Sequence, residues 1–255
     1  MKTALFNGCS FVAGDDLAHI ERDRFSQKFS DKTGYKNINI ALSGCSNDRI
    51  FRTTMDYLKD IHNSDDKKYP ELIVISWTGI DRFEFINKDD ASLDNPFTQV
   101  RPEHVTDSRI HYLTVHKEYL KYHYTYLHTE AYGILKLLSY MSDIQLICDL
   151  LNIPLLQYQY TEKVYEEIFP ILNHISKEGF FRKWRYDDSV FSKCRDIIRS
   201  RILNLKPYSK LGLGDFNDLR SISSSRNWHP DRMGHEEISL NVIEKFKEYH
   251  EIDFN

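Results

Sequence analysis

The chain has 255 residues, 41% of them hydrophobic and 28% charged, which suits a globular protein with a sizeable core and excludes a disordered or fibrous one. Its net charge of −4 excludes a general nucleic-acid binder, which would carry a basic excess. No apolar run approaches the ~20 residues that cross a bilayer, so no membrane partner is expected.

The opening run MKTALFNGCSF is too short and too quickly interrupted for a secretory signal, which predicts cytoplasmic synthesis. Within it TALFN reads as a first strand, ended by Gly8-Cys9-Ser10. Residues 17–29 mix charged and apolar positions and predict a helix; Gly34 and Tyr35 then turn the chain into a second strand at 37–42. The segment SGCSND opens another helix with Ile50, Met55 and Leu58 on its inner side, and Asn47 and Asp48 suit its N-terminus. After a charged loop at 64–70, ELIVISW is a continuous apolar run of the kind found in a buried parallel strand. The polar stretch 86–109 predicts a surface excursion or lid. Helical spacing runs from 110 to 152, broken near Thr129 or Gly133, and IPLLQYQY is a further strand. Helices over 162–176 and 188–204, a loop at 212–227 and a last helix at 234–249 complete the chain. This alternation predicts one α/β domain over 1–255, a three-layer sandwich with a central parallel sheet flanked by helices.

The widely spaced Cys9, Cys45, Cys148 and Cys194 contain no C-x-x-C pair and read as reduced, buried thiols. His104, His111, His116, His123 and His128 recur at spacings of seven and five, whereas metal sites favour three or four, so they read as a histidine- and tyrosine-rich helix face. No metal or cofactor is expected. The aromatic residues clustered between 111 and 180 either pack helices on a sheet or line a substrate groove, with packing the better account.

Three segments lie where open α/β sheets build their sites, past strand C-terminal ends or near the end of the chain. Ser10, between a strand and a helix with Gly14-Asp15-Asp16 behind it, exposes a hydroxyl and a backbone N–H, or merely caps the helix. Gly44, in Ser43-Gly44-Cys45, allows a backbone N–H close approach to a ligand. Pro230 restricts His229 to extended backbone and so aims its ring. Cys9 is a rival nucleophile and His235 a rival base; the place of His235 just inside the last helix gives it a structural or supporting role. Asp81 and Arg82 are expected to pair with each other or with Glu84, or simply to be solvated.

Taken in order, Gly8-Cys9-Ser10-Phe11, the N-x-A-x-S-G-x-S-N block at 39–47 and His229-Pro230 followed by Gly234-His235 resemble the SGNH/GDSL hydrolase family. They are most similar to a divergent, often phage-associated branch in which W-T-x-x-x-R, here Trp77 to Arg82, replaces the third block. The resemblance implies a flavodoxin-like sheet and an esterase-type serine hydrolase in which Ser10 attacks an ester carbonyl and His229 takes its proton. The backbone N–H groups of Ser10 and Gly44 would hold the oxyanion, and a small-molecule or carbohydrate ester, such as an O-acetylated sugar, would be the substrate. Two positions depart from the family. Arg226 stands where an aspartate is usual, leaving Asp218, Asp215 or a backbone carbonyl of 223–227 to face His229, with the carbonyl favoured. The third block lacks its asparagine, leaving Thr78 or Asn47 as side-chain donors to the oxyanion, or the two backbone amides alone. An O-acyltransferase using the same serine, and a non-catalytic binding or virion-associated module, are the alternatives; oligomeric state stays open.

Overall fold

The computed structural model describes residues 2–86, 97–102, 117–159 and 229–254. Among them, β1 (Thr3–Asn7), β2 (Lys36–Asn39), β3 (Leu72–Trp77) and β6 (Leu155–Gln159) form a parallel sheet in the order β2-β1-β3-β6. Two further strands, β4 (Phe83–Ile86) and β5 (Phe97–Val100), pair antiparallel in a sheet of their own. Leu5 lies between Ile38 of β2 and Ile73 of β3, so β1 is hydrogen-bonded along both edges. Successive strand residues point to opposite faces, and each face is covered. On one, Leu5, Ile73, Ile75 and Trp77 pack with Ile50 and Leu58 of α4 (Asn47–Asn63) and with Ile134, Leu138 and Ile144 of α6 (Glu130–Leu150). On the other, Ala4, Phe6, Leu72 and Val74 meet Phe25 and Phe29 of α3 (Phe25–Thr33) and Ile238, Val242 and Phe246 of α7 (Arg232–His250). These are the layers of an α/β sandwich. Double burial explains why β3 reads as an unbroken apolar run: every residue of Leu72–Trp77 is buried.

Two buried polar side chains tie the layers together. Trp77 Nε1 donates to Gln157 Oε1 at 3.0 Å, and Gln157 Nε2 donates to the Met141 carbonyl at 3.1 Å, which ties β3, β6 and α6 together.

Several expectations are corrected. The helix expected over 17–29 is divided into α2 (Ile20–Asp23) and α3, and a further short helix, α1 (Ser10–Ala13), precedes them. Gly14 and Asp16 take positive φ after α1, and Arg24, with ψ 145°, separates α2 from α3. The regular part of β2 ends at Asn39 rather than 42, although the Ile40 and Leu42 N–H groups still reach the Phe6 and Gly8 carbonyls at 3.0 and 3.2 Å and Asn39 Oδ1 accepts the Ala41 N–H between them. The expected excursion over 86–109 contains β5, paired with β4. The helical break falls at Thr129, whose side chain caps α6 by accepting from the Tyr132 N–H, while Gly133 lies inside that helix. Before it, α5 (Lys117–Tyr122) runs into a π-helical turn at His123–Leu127. The expected helices over 162–176 and 188–204 and the loop at 212–227 lie outside the described residues. No helix among the described residues is long and apolar enough to cross a membrane.

Phe29 is fully buried, with its ring edge-on to Phe6, Tyr35, Phe246 and Phe254 at centroid distances between 5.4 and 6.4 Å. It therefore joins β1, α3, α7 and the C-terminal segment. Phe29→Ala is expected to lower the unfolding free energy by about 3–5 kcal/mol, the cost of a large apolar side chain and the cavity left behind. Urea titration followed by circular dichroism measures it, and a loss below about 1 kcal/mol would contradict this packing role.

Candidate active site

The site begins where β1 ends. Asn7 is fully buried, with Nδ2 2.9 Å from the Ile50 carbonyl and from both Thr53 and Thr54 Oγ1, while its Oδ1 accepts the Gly8 N–H. One side chain thus fastens the end of β1 to α4. Gly8 then passes so close to β3 that a Cβ there would lie 2.9 Å from the Ser76 carbonyl oxygen and 2.4 Å from Val12 Cγ2, so no larger residue fits. The chain turns at Cys9, which is buried in the core, and α1 starts at Ser10. The rival nucleophile Cys9 therefore faces inward, while Ser10 keeps a small exposed fraction, 8%.

Ser10 Oγ lies 2.9 Å from His229 Nε2, although 219 residues separate them in the chain. His229 Nδ1 lies 2.6 Å from Asp16 Oδ2. A carboxylate oxygen only accepts, so Nδ1 carries the imidazole proton and Nε2 is left to accept from the serine hydroxyl. The expectation of a backbone carbonyl from 223–227 facing Nδ1 is corrected: Asp16 occupies that position. Asp215 and Asp218, the other candidates, lie outside the described residues. Asp16 reaches the ring from a backbone with φ 66°, a left-handed conformation that aspartate tolerates. Its role is not legible in the sequence, where nothing local marks Gly14-Asp15-Asp16 as more than a turn.

The C-terminal motif holds the imidazole in place. Asp231 caps α7, its Oδ1 accepting from the Met233 and Gly234 N–H groups at 2.9 Å. Pro230 is buried against Gly234, where a Cβ would lie 2.9 Å from the proline Cβ. The Phe11 ring stands edge-on to His229 at 5.3 Å.

The turn bearing Gly44 follows β2. Asn39 anchors its start, with Nδ2 donating to the Val12 carbonyl and Ser26 Oγ at 2.9 Å. Gly44 has φ 69°, and a Cβ there would meet open space, so the left-handed backbone and not close approach is what calls for glycine. Neither Asn47 nor Thr78 offers its donors simply. Asn47 Nδ2 donates to the Thr78 and Gly79 carbonyls at 3.0 and 3.3 Å, and its Oδ1 accepts the Thr78 N–H at 2.8 Å. Its amide therefore clamps the end of β3, and the Thr78 hydroxyl is enclosed beside it with no partner among the described residues.

Other singled-out residues have structural partners. Glu84 pairs with Arg52, and the Arg82 guanidinium reaches toward the Cys45 carbonyl. His123 packs on Phe83 at 4.1 Å between centroids, and burial lowers the pKa of both His123 and His128. His104, His111 and His116 lie outside the described residues, among which no cluster of three or more His, Cys, Asp or Glu residues fits a metal ion. Cys9, Cys45 and Cys148 are buried free thiols, and burial pushes Cys45 and Cys148 up to about 12. Cys194 lies outside the described residues.

Fold and geometry together define an α/β sandwich with a hydrogen-bonded serine, histidine and aspartate at the C-terminal edge of its parallel sheet. A family model described as a family of unknown function, DUF6071, matches residues 19–143, a span that includes the Gly44 turn and leaves Ser10, Asp16 and His229 outside. Among solved structures, the chain is similar to the psychrotrophic esterase EstA from a Pseudoalteromonas species, inhibited by monoethylphosphonate, at 11% identity over 99% of this chain and 100% of that one, with a TM-score of 0.47. No curated protein matches the chain.

His235, the rival base, is fully buried, and its Nδ1 accepts the Phe25 N–H at 3.1 Å, which caps α3. Burial, helped by Lys28, lowers its pKa to about 4. Between that value and the ordinary 6.5 the unfolded chain binds a proton that the folded one refuses. Stability from this group is therefore complete above pH 6.5 and lost as acid carries the pH toward 4, by about 3 kcal/mol in all. In His235→Gln, the deficit in unfolding free energy relative to the parent is expected to shrink by about that amount from pH 7 to pH 4. Denaturant titrations at both pH values measure it; a deficit independent of pH would contradict the buried neutral ring.

Proposed function

We propose that the protein is a serine-dependent hydrolase of carboxylic esters, with Ser10 as nucleophile, His229 as general base and acid, and Asp16 as the carboxylate that orients and balances the imidazole. The observation that carries this reading is the series Asp16–His229–Ser10, with contacts of 2.6 and 2.9 Å. In the reaction Ser10 Oγ bonds to the ester carbonyl carbon as its proton passes to His229 Nε2. The carbonyl oxygen becomes an oxyanion facing the backbone N–H groups of Ser10 and Gly44. Collapse breaks the carbon–oxygen bond to the leaving alcohol, which takes the proton from His229, and water then releases the acyl group by the same route. Asp16 stabilises the imidazolium at each stage. Ser10 at the first turn of α1 suits the oxyanion role, because the first N–H groups of a helix lack intrahelical acceptors. The strand order supports the reading as well, since Ser10 follows β1 at its boundary with β3, the switch point where flavodoxin-like sheets bind ligands.

For the substrate class the support comes from exposed aromatic residues elsewhere on the surface and not from the reacting groups. Tyr119, Tyr122, Tyr126 and Tyr132 are exposed on α5, the π-helical turn and α6, and Tyr124 on the same stretch donates to the Asp81 carbonyl just beyond β3. Aromatic faces of this kind stack on sugar rings, which favours an O-acetylated carbohydrate.

Hydrolysis of p-nitrophenyl acetate is expected from the parent protein and background rates from Ser10→Ala, whose melting temperature should stay within a few degrees. Asp16→Asn keeps the turn but presents an amide to Nδ1, so kcat is expected to fall by up to about 10⁴-fold, the loss known for the equivalent change in the best-studied serine protease. Equal turnover in Ser10→Ala would end this mechanism, and equal turnover in Asp16→Asn would remove Asp16 from it.

A further inference from the structure

The β4–β5 hairpin stands apart from the central sheet, yet one of its side chains reaches the Gly44 turn. Gln99 Oε1 accepts the Ser46 N–H at 2.9 Å. Its Nε2 donates to Glu84 Oε2 at 2.6 Å, directly across the hairpin, where the register pairs Glu84 with Gln99. Glu84 is itself gripped by Arg52 of α4 through two hydrogen bonds of 2.8 and 3.1 Å, and its N–H donates to Asp48 Oδ2 at 3.1 Å. Asp48 Oδ1 in turn accepts from Tyr140 Oη at 2.7 Å and lies 2.5 Å from Lys136 Nζ, both on α6. The Arg52 guanidinium also lies over the Phe97 ring, 3.7 Å from its centroid. The far end of this chain is therefore anchored in two helices, and the near end is a single amide oxygen on the turn.

That oxygen matters because, although the turn is tied at both ends, by the Leu42 N–H on the Gly8 carbonyl and by Ser46 Oγ and carbonyl accepting the Arg49 and Ile50 N–H groups, the Ser46 N–H finds its acceptor in Gln99. The Cys45 N–H reaches the Leu42 carbonyl at 3.3 Å, Cys45 Sγ donates to the Gly8 carbonyl at 3.2 Å, and Ser43 bonds to Asp15 at the surface. Ser46 is fully buried and precedes the first residue of α4, so its N–H has no intrahelical acceptor. Without Gln99 that N–H would be buried unpaired, a cost large enough to move the backbone toward another acceptor. Gly44 lies two positions earlier on the same turn.

We propose that Gln99 is a positioning residue: by accepting the Ser46 N–H it sets the direction in which the Gly44 N–H points. This rests on the ester-hydrolase reading, in which that N–H faces the oxyanion. Gln99 touches neither substrate nor the reacting atoms. It acts through the turn, and the hairpin is the brace that carries it.

The test compares Gln99→Leu, Gln99→Glu and the double variant Gln99→Glu with Glu84→Gln. Each is assayed on p-nitrophenyl acetate, for the rate of Ser10 labelling by a fluorophosphonate, and for amide hydrogen exchange over 42–46. Gln99→Leu is expected to lower kcat by about 10²-fold, the scale of a displaced oxyanion donor, with KM changed by no more than about threefold. Exchange at Gly44 to Ser46 is expected to rise by about tenfold while β1 and α4 stay protected. Gln99→Glu keeps the acceptor but sets two carboxylates together and should be impaired. Glu84→Gln in the same chain restores a donor between them and should recover most of kcat, and this pair carries the comparison if Gln99→Leu does not fold. Unchanged exchange in Gln99→Leu, or an active parent whose kcat survives the change, overturns the proposal. A parent that neither hydrolyses the ester nor labels at Ser10 instead overturns the hydrolase reading, and the exchange measurement still decides whether Gln99 holds the turn.

Discussion

Strand β1 is hydrogen-bonded along both edges and covered on both faces, and the site depends on that confinement. A strand so enclosed lets its chain leave in one direction only, over the C-terminal edge of the sheet. Backbone groups at that edge lose their ladder partners and must be satisfied otherwise. Three asparagines fill this role. Asn7 closes the end of β1 onto α4, Asn39 closes the end of β2 onto α1 and α3, and Asn47 closes the end of β3. An amide side chain carries both a donor and an acceptor, so it can replace a missing rung of the ladder on either side. Ser10, the Gly44 turn and Thr78 are thereby held on a rigid rim, and loops fixed in this way are where function is usually found.

The rim alone places a serine. The imidazole arrives with α7, whose position is set by the opposite layer of the sandwich. Ile238, Val242 and Phe246 bury that helix against Phe25 and Phe29, and Glu236 forms ion pairs with Lys28 and Lys32 of α3 at 3.1 and 2.5 Å. His235 adds the hydrogen bond to the Phe25 N–H. These contacts lie behind His229, and with Pro230 and the Asp231 cap they fix where its ring begins. Packing of the core and geometry of the site are consequently one problem: an error in docking α7 would separate Nε2 from Ser10 Oγ.

Asp16 is held in another way. A carboxylate next to a histidine in sequence would be oriented by the same segment as the ring. Here it belongs to the same turn as the serine, so both ends of the hydrogen-bonded series sit on the N-terminal segment and the imidazole closes between them. The left-handed backbone at Asp16 carries local strain on the order of 1 kcal/mol, which the surrounding turn must hold. The hairpin and the Glu84–Arg52–Asp48 network form a second support on the other side, reaching the Gly44 turn through Gln99.

Strands β1, β3 and β6 and helix α7 are written locally in the chain, because burial on two faces, or on one helix stripe, leaves an apolar pattern that any short window detects. Ser10, Gly44 and His229 stand out in the same way, through their order and short motifs. Asp16 does not. Its contact with His229 depends on one left-handed residue and on a helix from the far end of the chain, and neither leaves a local pattern. The same holds for the breaks that divide 10–33 into α1, α2 and α3, and for the hairpin, whose short strands owe their placement to Arg52 and Asp48 of α4. Asn47 was legible as a polar residue at a helix start, but the closure of β3 by its amide exists only once α4 has docked on the sheet. Periodicity records which residues leave water; which of them then meet is decided by packing between segments, and that information is not local.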